Sequence, residues 1–271
     1  MIRTTWTGAA GLIFESESDI ILIDPYFTRV DLFNTLLGPI SPDERAVEKK
    51  LVSFSKPICA VIVGHTHSDH ALDVPLIIRK THAQPIGSRS LETLMAISGI
   101  PGRTIVCDGG ETVVLNDRAA VTMIPSAHGR VILNKVPFQG EIRPTAVLPM
   151  KAGGYRVGTV FAPKLQIEGI TFLHVGSANF IEEALQGHSC DVLFLCVAGW
   201  KKRQRYPQLI IEMTQPRKVV LIHYDDFSKP PRGKTRKLPF IDMGAMIRTI
   251  KAQSPKIEVM VPEIGAIMNF E

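Results

Sequence analysis

The chain is poor in cysteine and aromatic residues, and it has no long apolar run. Its four cysteines, Cys59, Cys107, Cys190 and Cys196, are scattered through 271 residues with no Cys-x-x-Cys pair. That argues against a zinc–thiolate site. Cys59 and Cys196 fall in apolar stretches, so buried free thiols in a reducing compartment are expected. Aromatics make up only 7%, which is thin for a surface that stacks bases. No apolar run approaches the ~20 residues that span a bilayer. The opening Met1-Ile2-Arg3-Thr4-Thr5-Trp6 lacks the apolar core of a signal peptide. The expectation is therefore a cytoplasmic protein without a membrane partner. No Gly-x-Ser-x-Gly elbow occurs, which argues against a serine nucleophile.

What is present is ordinary globular material, 45% hydrophobic and 21% charged. The length allows one large domain or two small ones, and a single domain spanning residues 1–271 is the expectation. Net charge is +5, but it is concentrated. Between Trp200 and Lys237 stand eleven Lys/Arg against Glu212, Asp225 and Asp226, or +8, leaving −3 for the remainder. Such a local surplus is either a solvated rim or an attractor for an anion.

Apolar period and turn residues outline the elements. Strands are predicted at 2–6, 11–14 and 20–23, the last ending at Asp24-Pro25. Residues 26–41 read as irregular. Ser41-Pro42-Asp43-Glu44 has the form of a helix start, predicting a helix over 42–51. A buried strand at 60–64 runs into a helix from Asp69 to Lys80, with Ser68 as its N-cap. A short strand at 85–87, a helix from Ser90, and strands at 104–107, 111–115 and 119–124 follow. Residues 130–152 are rich in Pro and Gly and read as a lid or a surface loop. Strands at 155–162 and 170–175 form a hairpin. Then come a helix at 181–185, a strand at 191–197, a helix at 208–214 and a strand at 218–222. A helix at 242–251 and strands at 257–261 and 265–270 close the chain.

The chemistry concentrates in His65-Thr66-His67-Ser68-Asp69-His70. Three imidazoles and one carboxylate stand together at a strand-to-helix turn, and these are ligand types that zinc prefers. His65 and His67 can face one side, while Asp69 and His70 begin a second site beside it. His128 stands just past the strand at 119–124, as His65 does past its own. His223 repeats the arrangement after 218–222. His82, His174 and His188 lack that placement and read as structural or surface groups.

The hexapeptide resembles the signature of the metallo-β-lactamase superfamily. The resemblance implies an α/β fold, an αβ/βα four-layer sandwich of two similar halves with mixed sheets. It assigns His128 as the third imidazole beside His65 and His67, and Asp24 as support behind the metal loop. His223-Tyr224-Asp225-Asp226-Phe227 resembles the closing motif of the ascorbate-6-phosphate lactonase-like branch. It makes His223 a ligand of a second site with Asp69 and His70, with Asp225 in support. At Gly176-Ser177-Ala178 the chain departs from the pattern. The family carries an aspartate there that bridges two metals, and Ser177 is a far poorer bridge.

Three neutral imidazoles leave one position open for water, as catalytic zinc requires. Zinc lowers the pKa of that water to about 7, and Asp69 can orient it as the catalytic carboxylate. Zinc is the expected ion, in one or two copies, with manganese or iron as alternatives. A metal-dependent hydrolase acting on a small anionic ester, lactone or phosphodiester is expected. Lys201, Arg203, Lys229 and Arg232 are candidate contacts for the anion. A metal-dependent nuclease and a metal-binding module of weak catalysis are the alternatives. Nucleic acid is the less favoured partner, and self-association into a homo-oligomer is compatible with the sequence.

Overall fold

A computed structural model describes residues 1–131, 133–231, 233–239 and 241–271. The chain opens with strands β1 (Ile2–Gly8), β2 (Gly11–Glu15) and β3 (Ile20–Ile23), then helix α1 (Leu32–Leu37). β4 (Pro39–Ile40), α2 (Glu44–Val52), β5 (Ile58–Ile62), α3 (Ser68–Ala71), α4 (Val74–Lys80), β6 (Gln84–Gly87), α5 (Arg89–Ile97) and β7 (Ile105–Val106) complete the first half. The second begins with β8 (Thr112–Asn116), β9 (Ala119–Pro125), β10 (Met150–Lys151), β11 (Phe161–Ile167), β12 (Ile170–Val175), α6 (Glu182–Leu185) and β13 (Val192–Cys196). It ends with α7 (Tyr206–Thr214), β14 (Lys218–Ile222), α8 (Met243–Gln253), β15 (Glu258–Met260) and β16 (Ile267–Phe270).

Two seven-stranded sheets carry the fold, in the orders β16-β1-β2-β3-β5-β6-β7 and β15-β14-β13-β12-β11-β9-β8. Each is mixed: β3, β5, β6 and β7 run parallel, as do β12 to β15, while the remaining pairs are antiparallel. The near-continuous apolar strands follow from burial on both faces. In β2 and β3, Leu12, Phe14, Ile21 and Ile23 join one core cluster, and Ile13, Ile20 and Leu22 join another. Alternate side chains point to opposite faces. The first cluster continues into β12 and β13, where Phe14 meets Phe172 and Phe194 at 5.1 and 5.7 Å. The second is capped by α4 and α5, whereas α7 and α8 cover the far side of the other sheet. The layers are therefore helix, sheet, sheet, helix, as expected.

Several local expectations are corrected. The helix foreseen over 69–80 is two helices, α3 and α4, separated at Leu72-Asp73. Pro75 explains the break: it lacks an N–H, and its ring would strike the carbonyl four residues back, yet it suits the first turn of a new helix. The N-cap of α3 is His67 rather than Ser68. α2 begins at Glu44, capped by Asp43, whose carboxylate accepts from the Ala46 N–H at 3.1 Å. Residues 26–41 are not wholly irregular, because they hold α1 and β4. Residues 155–160 are not strand. Val157 instead uses its carbonyl to accept from the Thr66 N–H at 3.1 Å, pinning the segment to the histidine turn.

Candidate metal centre

Parallel strands leave their unpaired loops at the carboxyl end, where α/β folds build sites. Here β5 delivers the turn at 65–70, β9 delivers His128, β12 delivers Ser177 and β14 delivers His223. The structure brings the six predicted ligands into two groups. His65, His67 and His128 form one, and Asp69, His70 and His223 form the other. Within each, the candidate ligand atoms lie within 4.8 Å of one another. The groups adjoin, since the His65 and His70 rings are 3.7 Å apart at their centroids.

Three of the five rings are oriented by their other nitrogen, which fixes the tautomer. His67 donates from Nε2 to the Pro137 carbonyl at 3.1 Å, and His128 donates from Nδ1 to the Gly129 carbonyl at 2.7 Å. That leaves Nδ1 of His67 and Nε2 of His128 as free lone pairs. His70 donates from Nδ1 to Asp24 at 2.8 Å. His65 Nε2 and His223 Nδ1 are buried with no hydrogen-bond partner. Orphaned nitrogens at such a cluster are costly unless something binds them. Together with the donor set, they fit a divalent cation.

Burial, reinforced by neighbouring imidazoles, keeps His65 neutral far below the usual histidine range. Burial pushes His67 down to about 4 and His128 down to about 3. Neutral rings are the ligating form. Asp69 behaves oppositely to a lone buried acid. Burial would raise it, but His70 and His223 outweigh that and hold it far below the carboxylate range. Its Oδ2 lies 3.3 Å from His223 Nε2 and 3.7 Å from His70 Nε2. For His70, the burial that would lower its pKa is overcome by Asp24 and Asp69, which raise it.

Asp24 lies behind the histidine turn. One carboxylate oxygen accepts from the Gly64 N–H at 2.7 Å and the other from His70. Both neighbouring glycines are required to be small. A Cβ on Gly64 or on Gly176 would come within 3.1 Å of Asp24 Oδ2. Asp225 is buried and accepts from the Ala9 N–H at 2.8 Å. Ser177 is also buried, and its hydroxyl accepts from the Gly129 N–H at 3.0 Å. Asn179 adds a 3.3 Å bond from its amide to the His128 carbonyl, so this turn clamps the His128 turn.

The 130–152 segment reaches the centre through Pro137, and the Phe138 ring stands 6.1 Å from His67. Of the four basic candidates, three are tied to acids. Lys201 pairs with Asp242 at 3.4 Å, Lys229 with Asp226 at 3.2 Å, and Arg203 with Glu182. Arg232 lies outside the described residues. Sequence reasoning gave His174 only a structural part and missed its neighbour. It donates from Nε2 to the Ala10 carbonyl at 2.9 Å and sets Nδ1 3.8 Å from Asp24, forming a wall of the Asp24 pocket. The available signal was a lone histidine inside an apolar strand that runs into Gly176-Ser177.

Residues 3–223 match the sequence model of the family described as the β-lactamase superfamily domain. A UPF0173 metal-dependent hydrolase of Pyrobaculum islandicum is 26% identical over 231 residues, covering 83% of this chain and 85% of that protein. A second protein of that description, from Paracoccus denitrificans, is 24% identical over 277 residues, with 97% of each chain covered. Among solved structures, the metallo hydrolase Igni18 of Ignicoccus hospitalis superposes with a TM-score of 0.66 at 18% identity. It covers 100% of this chain and 99% of its own.

Proposed function

The chain belongs to the β-lactamase superfamily, and from that premise we propose that it is a metal-dependent hydrolase acting as one domain over residues 1–271. The observation that carries the reading is the pair of adjoining ligand groups at the sheet edge, with a buried orphan nitrogen on His65. The relatives' description as metal-dependent hydrolases agrees with it. His65, His67 and His128 would hold one divalent cation, and Asp69, His70 and His223 a second. Zinc is the ion that imidazole-rich sets favour, with manganese and iron as competitors.

A bound cation supplies Lewis acidity, activating water and stabilising negative charge on the substrate. The chain does the rest. Asp69, ionised throughout the working pH range, accepts a hydrogen bond from the attacking water and aims it. Asp24 keeps the His70 Nδ1 proton in place, so that Nε2 stays available. The Pro137 carbonyl holds the Nε2 proton of His67, so that its Nδ1 stays available, and the Phe138 ring stands 6.1 Å from that imidazole.

The substrate we assign is a small anionic ester, lactone or phosphodiester. Support for the anion is the surplus of eleven Lys/Arg over three acids at 200–237, although Lys201, Arg203 and Lys229 are partly screened by their carboxylate partners. The closing motif at 223–227 keeps the lactonase-like branch as the preferred subclass, and the four free cysteines favour a cytoplasmic setting. Elemental analysis of the purified protein, combined with a panel of lactones, carboxylic esters and phosphodiesters, tests the reading. Bound metal and chelator-reversible hydrolysis of one class are expected. Metal without turnover would turn the protein into a binder.

A further inference from the structure

Phe138 stands beside the ligand groups in a state that neither its backbone nor its side chain favours. Its φ is +42°, in the left-handed region that bulky residues rarely enter. Its ring is apolar, yet the residue is 45% exposed. Backbone strain of this kind persists only where the surroundings fix it, and it gathers at ligand clamps. Backbone bonds do the fixing here. The Phe138 carbonyl accepts from the Val157 N–H at 2.9 Å, and the Gly140 carbonyl accepts from the Gly158 N–H at 3.0 Å. The Val157 carbonyl in turn accepts from the Thr66 N–H, inside the histidine turn. Residues 137–140 are thus laced to the turn that carries His65 and His67.

None of those bonds needs a phenyl ring. Glycine or asparagine enters positive φ more readily and would offer the same carbonyl. The core does not need the ring either, because Phe138 belongs to neither core cluster. What the ring meets is the centre. It stands T-shaped against His67, with 6.1 Å between centroids and 87° between planes. It also lies on the backbone of Gly153, where an added Cβ would come within 3.2 Å of Phe138 Cε1. The other ligand group has an aromatic neighbour too: Phe227, half-buried, is 5.2 Å from His223 at 75°. The three described basic candidates, Lys201, Arg203 and Lys229, are by contrast engaged with acids.

We propose that Phe138 determines specificity: its exposed ring receives an alkyl or aryl group that the substrate carries beside a carboxylic ester or lactone bond held at the ligand groups. Phe227 presents a second apolar surface on the His223 side. The inference rests on the hydrolase reading above and deepens it, selecting esters and lactones with an apolar substituent over phosphodiesters. Covering the exposed part of the ring with substrate methylenes removes apolar surface from water on both partners.

The test is calorimetric titration of the zinc-loaded full chain with acetate and with hexanoate, which differ only in the length of the alkyl chain. Burying two of the extra methylenes gives about fifteenfold in affinity, so wild type should bind hexanoate at least about tenfold more tightly than acetate. In Phe138→Asn that ratio should fall below about threefold. Phe138→Gly also suits the left-handed backbone and should give the same low ratio, which keeps the test open if one variant folds poorly. Neither variant should have a lower Tm than wild type, because the backbone strain is relieved. Equal affinity for the two carboxylates in wild type would overturn the proposal, and so would a wild-type ratio retained in both variants. A preference for hexanoate that depends on Phe138, with no ester or lactone turned over, would leave the apolar wall standing and remove the hydrolase. Chelator-reversible hydrolysis without that preference would do the reverse.

Discussion

Asp24 does more than any single ligand to hold the centre together. It joins the Gly64 N–H, which precedes His65, to His70, and His174 and Gly176 pack on it from the opposite sheet. Asp24→Asn keeps the shape and removes the charge. It should weaken cation binding at the Asp69, His70 and His223 group by about 10–100-fold, the usual cost of losing an outer-shell partner. The His65, His67 and His128 group should be spared, and a metal titration read at two stoichiometric steps will show it. His67→Ala removes a ligand outright, so elemental analysis should find the first cation gone and turnover with it. Of these residues, the hexapeptide's ligands were legible because ligand type and a strand-to-helix turn are local properties. Ser177 was legible only as a departure from the family pattern. That it clamps the His128 turn depends on a contact with Gly129, which is far away in sequence.

At the scale of elements, strand ends aim the ligands, and tight packing beneath them sets the aim. Gly176, at the end of β12, shows how little slack exists. An added Cβ would sit 2.7 Å from His174 Cε1 and 3.1 Å from Asp24 Oδ2. Gly176→Ala should cost about 1–3 kcal/mol, as overpacked sites do, and lower second-cation affinity; urea unfolding and metal titration on one preparation check both. The strands were legible because burial on both faces makes them unbroken apolar runs. The break between α3 and α4 was legible too, in Pro75, had its effect on the carbonyl four residues earlier been weighed. The N-terminal boundary of β11 was not. Residues 155–160 have a strand-like composition, yet Val157 spends its carbonyl on Thr66, a choice made by the turn it meets.

For the whole molecule, the centre couples folding to pH and to metal. His65, His67 and His128 have folded pKa values depressed below the unfolded value of about 6.5. Their stabilisation is therefore full above that pH. It is lost as pH falls, through about 4 for His67 and about 3 for His128. Each contributes a slope of up to about 1.4 kcal/mol per pH unit in that window. His70 is raised and works the other way: its contribution is present below about pH 6.5 and fades as pH rises through its folded value. With His174 also lowered by burial, four rings against one predict that the metal-free protein loses Tm steadily below about pH 6.5. A pH series of thermal melts after chelation measures this, and a flat profile down to pH 4 would contradict it. Restoring cation should raise Tm at neutral pH in proportion to the logarithm of its free concentration.

Sequence alone settled much of what depends on neighbours along the chain: most of the strands, though not the bounds of β11, and that imidazoles and a carboxylate stand at strand ends. It also settled the family, through an order of residues no apolar pattern would produce by accident. Tertiary structure decided which candidate ligands stand together, which lysines and arginines are already paired, and that His174 and two glycines wall in Asp24. These are facts about segments joined by the packing of two sheets. Burial and Coulombic balance depend on that packing, so they exist only once the chain has closed on itself.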